Sequence, residues 1–367
     1  MATRLVWLTI VGGGSLAGDK QRFSKSGDVV YFQYVKTPND FTGDTVYVWD
    51  IDKTYLNTNF DTLRGLLKTA FEKAFQKVNV PGTASLIKSL IHAKQENLPL
   101  YFISASPPQM ESKIYQKMRL DDLSPFGIFF KDNLKNFRPS KFRRLKQQVG
   151  FKIQALLELR LKIEKRVRMV VFGDDSESDA VVYSLFSDIC QRRLPNAEIL
   201  SVLEALHVLP EQRDVIVKLQ SKVEIEDPIE KIYINLVADT DPDYYRKFGR
   251  RVLATFTTFQ LALDLYQDLR INDEGLITVA RDMVFNYGFT VEELGKSLLD
   301  LEKRGFLQSA TASKVIPMLK AQGLFPAGFS TVFNPVKTLQ KLGEKILGVG
   351  QDDPQVPERI DYLHDFR

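Results

Sequence analysis

A chain of 367 residues has room for two domains, or for one domain with a sizeable appendage. With 44% hydrophobic and 26% charged residues it has the make-up of an ordinary globular protein, and a net charge of +4 is too small to imply nucleic acid by itself. Cys190 is the only cysteine, which excludes an intrachain disulfide framework and any cysteine-based zinc site, and no apolar run is long enough to span a bilayer.

The first residues allow two readings. Arg4, the run LVWLTIV and the small residues Ser15 and Ala17 fit a signal peptide that would export the protein. The same run also fits a strand that turns at Gly12, Gly13 and Gly14, in which case the protein is expected in the cytoplasm. Further on, VVYFQYVK reads as a strand, and Pro38, Asn39, Asp40 and Gly43 mark a loop. In VYVWDID, Val46 and Val48 fall on one side and Tyr47 and Trp49 on the other, the alternation of a strand that ends at Asp50.

Helical spacing of leucine and phenylalanine follows in FDTLRGLLKTAFEKAFQKV and in TASLIKSLIHAK. LPLYFIS is a second apolar strand, MESKIYQKM a helix, GIFFKD a short strand and FKIQALLELRLKI a helix. RMVVFGDD is another strand, with a helix from Val181 to Leu194. KIYINLVAD and FTTFQLALDLYQDL then form a further strand and helix. Strands alternating with helices predict an α/β fold with a doubly wound, mostly parallel sheet.

From about Ile271 no strand-like run separates the helical stretches, and Thr290 with Glu293 has the spacing of a capping box. The expected organisation is therefore residues 1–45 as a strand-rich segment or leader and 46–270 as the main α/β domain. Residues 271–345 follow as a small all-helical appendage, and 346–367 as a loosely packed tail.

Chemistry gathers at strand ends. The first strand of the main domain ends in Asp50, Asp52 and Thr54, and LPLYFIS ends in Ser104, followed shortly by Ser106. Lys152 lies on the next helix, and RMVVF runs into Asp174 with Asp179 five residues on. This set suits phosphoryl transfer. One carboxylate attacks phosphorus, and a second acid protonates the leaving oxygen and later deprotonates water. Two anions meeting a phosphate need a cation between them, and oxygen-rich Mg²⁺ sites combine carboxylates with substrate phosphate. Asp50, Asp52, Asp174 and Asp179 form the expected metal set, with Ser104 and Lys152 on the phosphoryl oxygens. Lys146 competes with Lys152 for that part, and Asp175 and Glu177 are candidates to orient the metal acids. His92, His207 and His364 are isolated and read as core or surface residues.

DIDKT, YFISASP, the helix-borne Lys152 and GDDSESD, in this order, resemble the haloacid dehalogenase superfamily of phosphatases. SASPPQ and G-D-x-x-E-x-D further resemble the catalytic domain of the actin-patch-associated phosphatidate phosphatases. That resemblance implies a haloacid dehalogenase-like fold and Mg²⁺-dependent removal of phosphate from phosphatidate or related lipid phosphates. It also implies Asp50 as nucleophile, Asp52 as acid–base group and Thr54 as part of the site. Two departures bear on the substrate: Lys53 stands where the family usually has Asp, and GDDSESD where it usually has G-D-S-G-E-Q-D.

The competing functions are a phosphatase for a soluble phosphate ester, and a catalytically weak member that binds a phosphorylated partner. A basic stretch holds Lys135, Arg138, Lys141, Arg143, Arg144, Lys146, Arg160, Lys162, Lys165, Arg166 and Arg168, interrupted by Phe137 and Phe142. It reads either as a solvated helix face or as a surface drawn to an anionic membrane. No stacking platform accompanies the charge, so nucleic acid is not an expected partner. Oligomeric state is not legible in the sequence.

Overall fold

The structure, a computed structural model, describes residues 22–34, 43–57, 79–93, 98–132, 148–176, 178–237, 240–330 and 355–363. The leader, the helix expected over FDTLRGLLKTAFEKAFQKV and the first half of the basic stretch lie outside these residues.

The described strands form one eight-stranded sheet of order β1-β2-β5-β4-β3-β6-β7-β8. β1 (Arg22–Ser26) and β2 (Val29–Gln33) make a hairpin across Gly27 and Asp28, and β2 runs antiparallel to β5 (Gly127–Lys131). Every other pairing is parallel, through β4 (Leu100–Ser104), β3 (Thr45–Asp50), β6 (Arg168–Asp174), β7 (Ile229–Asn235) and β8 (Val252–Thr255). The mixed α/β architecture with a mostly parallel sheet agrees with the sequence. β1 and β8, the two edge strands, were not anticipated. RFSKS carries almost no β-branched or aromatic surface, and VLAT is too short to show a period.

The alternation in β3 sorts the core into two faces. Val46 and Val48 join one hydrophobic cluster, Tyr47 and Trp49 the other. From β3 the chain first steps outward through β4 and β5, then returns to β6 and proceeds the other way. Right-handed crossovers taken in opposite directions must put their helices on opposite faces. Accordingly α1 (Thr83–Ala93) and α2 (Glu111–Leu120) bury Leu86, Leu90, Ile114 and Met118 in the second cluster. α3 (Gln148–Arg160) and α4 (Asp179–Gln191) bury Phe151, Leu156, Val182 and Phe186 in the first. α5 (Asn196–Ala205) and α6 (Pro210–Gln220), unread in the sequence, add Ile199 and Ile216 to that same face.

After α7 (Thr258–Gln267) come α8 (Asp273–Tyr287), α9 (Val291–Lys303) and α10 (Ser309–Ala321). Leu276, Val279 and Met283 of α8 share the second cluster with Leu86 and Ile87 of α1, so these helices complete a face of the sheet. The capping box expected at Thr290 and Glu293 is present at the start of α9.

The tail differs from its sequence reading. Ile360 and Tyr362 are buried in the first cluster, and the Tyr362 hydroxyl donates to Asp188 of α4. Two apolar residues in a polar, proline-containing stretch show no period, yet each one buried is worth about 1.5–3 kcal/mol. That is enough to dock a short strap.

Candidate active site

β3 lies between β4 and β6, where the direction of strand order reverses. In open α/β sheets that reversal opens a crevice beyond the carboxyl ends of the strands. Asp50 is the last residue of β3, Ser104 of β4 and Asp174 of β6, so the sheet itself brings three of the expected residues to one edge. Asp179 is the first residue of α4, and Lys152 sits on the buried inner side of α3.

The carboxylates of Asp50, Asp174 and Asp179 each offer one oxygen within 4.8 Å of the others, and all three residues are buried. Lys152 lies among them, its Nζ 3.0 Å from Asp50 Oδ1 and 2.5 Å from Asp179 Oδ1. The other Asp179 oxygen accepts the Asp174 N–H at 3.1 Å, and Asp174 Oδ1 accepts the Ser176 N–H at 2.6 Å. Asp179 thus bridges the lysine and the β6 end. Three buried carboxylates that converge in this way form an oxygen-only donor set, which fits a hard divalent cation.

Gly173 makes this approach possible. A Cβ there would lie 2.2 Å from Asp179 Oδ2 and 2.5 Å from the Asp179 Cβ. One turn along α4, the buried Tyr183 hydroxyl donates to the Phe172 carbonyl at 3.0 Å and ties the helix to β6. Burial first, and then the Asp179 carboxylate, push the Tyr183 phenol well above its ordinary range, so it remains a donor.

Beyond β3 the chain turns at once. The Leu56 N–H returns to the Ile51 carbonyl at 2.8 Å, with Lys53 in the left-handed region at φ 58°. Asp52 and Thr54 are buried on this loop. The Asp52 carboxylate is not part of the clustered triad, whose members are Asp50, Asp174 and Asp179. Thr54 lines a small cavity with Trp49, Val80, Phe172, Gly173 and Asn235, and its Oγ1 has no hydrogen-bond partner among the described residues. Ser104 Oγ accepts the Ser106 N–H at 3.1 Å. Ser106 Oγ is likewise buried without such a partner, so both hydroxyls stand at the β4 end.

Asp175 does a different task from the triad. Its Oδ1 accepts the Val237 N–H at 2.8 Å and fastens the loop after β6 to the end of β7. Glu177 and Lys146 lie outside the described residues, while His92 and His207 are exposed and apart from the site. Asn235 was missed in the sequence. Its Nδ2 donates to the Lys53 carbonyl at 2.9 Å, and its one signal was a polar residue at the end of an apolar strand.

The described part of the basic stretch is largely absorbed by the fold. Arg160 is buried and donates to the carbonyls of Glu164, Lys165 and Val167, and Arg168 donates to that of Ile229. Lys162 lies 4.8 Å from the Tyr31 ring centroid, and Lys165 and Arg166 pair with Glu224 and Glu164.

Residues 45–196 match the family model of the phosphatidate phosphatase APP1 catalytic domain. The comparison with curated proteins found no match to the chain.

Proposed function

We propose, on the match of residues 45–196 to the phosphatidate phosphatase catalytic domain, that the chain is a phosphoric monoester hydrolase that hydrolyses phosphatidate or a related lipid phosphate in a Mg²⁺-dependent reaction. The observation that carries this reading is the buried Asp50, Asp174 and Asp179 triad around Lys152, inside the matched segment. We read the sheet as the haloacid dehalogenase type, supported by the order of its strands and the strand ends that bear the motifs.

In this reading Asp50 attacks phosphorus. The bond to the leaving group breaks, its electron pair stays on the ester oxygen, and that oxygen takes the proton of Asp52. Asp52 then removes a proton from water, whose oxygen attacks the phosphoryl group and releases inorganic phosphate from Asp50. Lys152, Ser104 and Ser106 hold the phosphoryl oxygens, and Thr54 supports the loop that carries Asp52. Asp50 and Asp174, supported by Asp179, would hold Mg²⁺, which supplies positive charge against the phosphoryl oxygens.

The departures at Lys53 and in GDDSESD leave every one of these groups in place and bear on the substrate alone. Attraction to an anionic membrane belongs to the part of the basic stretch from Lys135 to Lys146, because the later residues are engaged within the fold.

The test is a screen of purified protein on phosphatidate vesicles and on soluble phosphate esters, with Mg²⁺ or with chelator. Fastest turnover on phosphatidate, lost in chelator, supports the proposal. Preference for a soluble ester transfers the function to that class, and tight phosphate binding without turnover makes the chain a binder. Neutralising Arg138, Lys141, Arg143 and Arg144 together should lower turnover on vesicles and spare a soluble ester. Added salt should have the same effect on the vesicle reaction.

A further inference from the structure

A second buried polar cluster lies behind the loop that carries Asp52 and Thr54. Lys117 of α2 is fully buried. Its Nζ donates to Asn79 Oδ1 at 2.7 Å and to Asp121 Oδ2. Asn79 Nδ2 donates to the same Asp121 oxygen at 3.1 Å, and so does the hydroxyl of Tyr55. Tyr55 is the residue directly after Thr54, and its ring is fully buried 5.3 Å from that of Phe102 on β4. Its carbonyl accepts the Val80 N–H at 3.1 Å and the Thr83 hydroxyl at 3.3 Å, and Leu56 bridges Asn79.

Burying an ammonium and a carboxylate is costly unless the geometry is well satisfied, and an apolar filling would serve packing as well or better. Here the carboxylate accepts from the hydroxyl of Tyr55, the side chain that ends the Asp52 loop, and the ammonium that holds the carboxylate lies 5.9 Å from the centroid of the same ring. On its other flank the loop is held by Asn235 through the Lys53 carbonyl.

We propose that Tyr55, Asp121, Lys117 and Asn79 form a positioning network for the Asp52–Thr54 loop, which sets the reach of the Asp52 carboxyl to the leaving-group oxygen. The inference rests on the reading of Asp52 as the acid. None of the four touches the reacting atoms in this scheme; they act through the loop. Loss of the network should therefore damage the proton-transfer part of the reaction more than phosphate capture or metal binding. A misplaced acid matters when the leaving group is an alkoxide, which must be protonated, and little when it departs as a stable anion such as p-nitrophenolate.

The experiment compares full-length wild type with Tyr55→Phe and Asp121→Asn, using an alkyl phosphate and p-nitrophenyl phosphate. The kcat on the alkyl ester is expected to fall about 10- to 100-fold, with less than about a threefold loss on p-nitrophenyl phosphate. The Mg²⁺ concentration for half-maximal rate should not move, and Asp122→Asn, one residue along at an exposed position, should match wild type. Equal losses on both esters, or a lower melting temperature with unchanged kcat well below it, overturn the proposal and leave the network a structural one. Hydrogen exchange supplies a readout free of turnover: the Tyr55 and Leu56 amides should exchange faster in both variants while β3 and β6 stay protected. Unchanged exchange there overturns the proposal whatever the kinetics. A wild type inactive on every phosphate would instead sink the enzymatic reading while leaving the exchange result to decide whether the network holds the loop.

Discussion

Lys152 Nζ lies 3.0 Å from Asp50 Oδ1, a contact between the middle of a buried helix and the end of the central strand. The same ammonium reaches Asp179 Oδ1, so one lysine holds carboxylates from β3 and α4 together. Lys152→Met should cost about 3–5 kcal/mol of stability, because the carboxylates stay buried without their cation. Added Mg²⁺ should recover part of the lost melting temperature, and turnover should fall about 10²- to 10³-fold. Thermal denaturation with and without Mg²⁺, beside steady-state kinetics, checks both. A variant as stable as wild type in chelator would show that the lysine is not balancing the triad.

Gly173→Ala is expected to abolish activity while the sheet remains folded. The added methyl would sit 2.2 Å from Asp179 Oδ2, so α4 or its first side chain must move. Overpacking of this kind costs about 1–3 kcal/mol, which a protein of this size survives, but the displaced Asp179 loses its bonds to Lys152 and to the Asp174 N–H. Circular dichroism and Mg²⁺-induced thermal shifts test this. A folded Gly173→Ala enzyme with normal turnover would mean that Asp179 has room to rearrange without consequence.

Lys53 has a non-glycine residue in a backbone conformation that costs about 1–2 kcal/mol for most L-residues and less for Asn or Asp. Lys53→Asn should raise stability by about 0.5–1 kcal/mol, measured by urea denaturation. A loss of stability would show that the lysine side chain contributes more than the strain it carries.

Acid stability should depend on Asp227. Burial opposes its ionisation, but Arg251, Arg193, the Ser187 hydroxyl and the Ile229 N–H outweigh burial and hold its carboxyl below the ordinary range. A depressed carboxyl contributes its full stability above the unfolded pKa, about 4, and loses it as pH falls through the lower folded value. The gap in unfolding free energy between wild type and Asp227→Asn should therefore be constant from about pH 5 to 7 and shrink below about pH 4. A gap that widens on acidification would reverse the sign and refute the assignment.

The sequence by itself determined the repeating strand–helix order, the two-sided alternation of β3 and the acids that end its apolar strands. These are local properties: period, capping at Thr290 and Glu293, and acids at the ends of apolar runs are written within a few neighbours. It also limited which residues had to meet, since Asp50, Ser104 and Asp174 each end a strand. Only the tertiary structure decided how they meet. The triad took Asp179 and left Asp52 on the loop, because the Asp179 contact depends on a glycine across the β6 turn and on a lysine from another helix. The pairing of β8 with β7, the docking of Tyr362 on Asp188 and the meeting of Lys117 with Asn79 were equally out of reach. Each is held by partners far along the chain, and the strength of such a contact depends on burial and distance, which no run of neighbouring residues encodes.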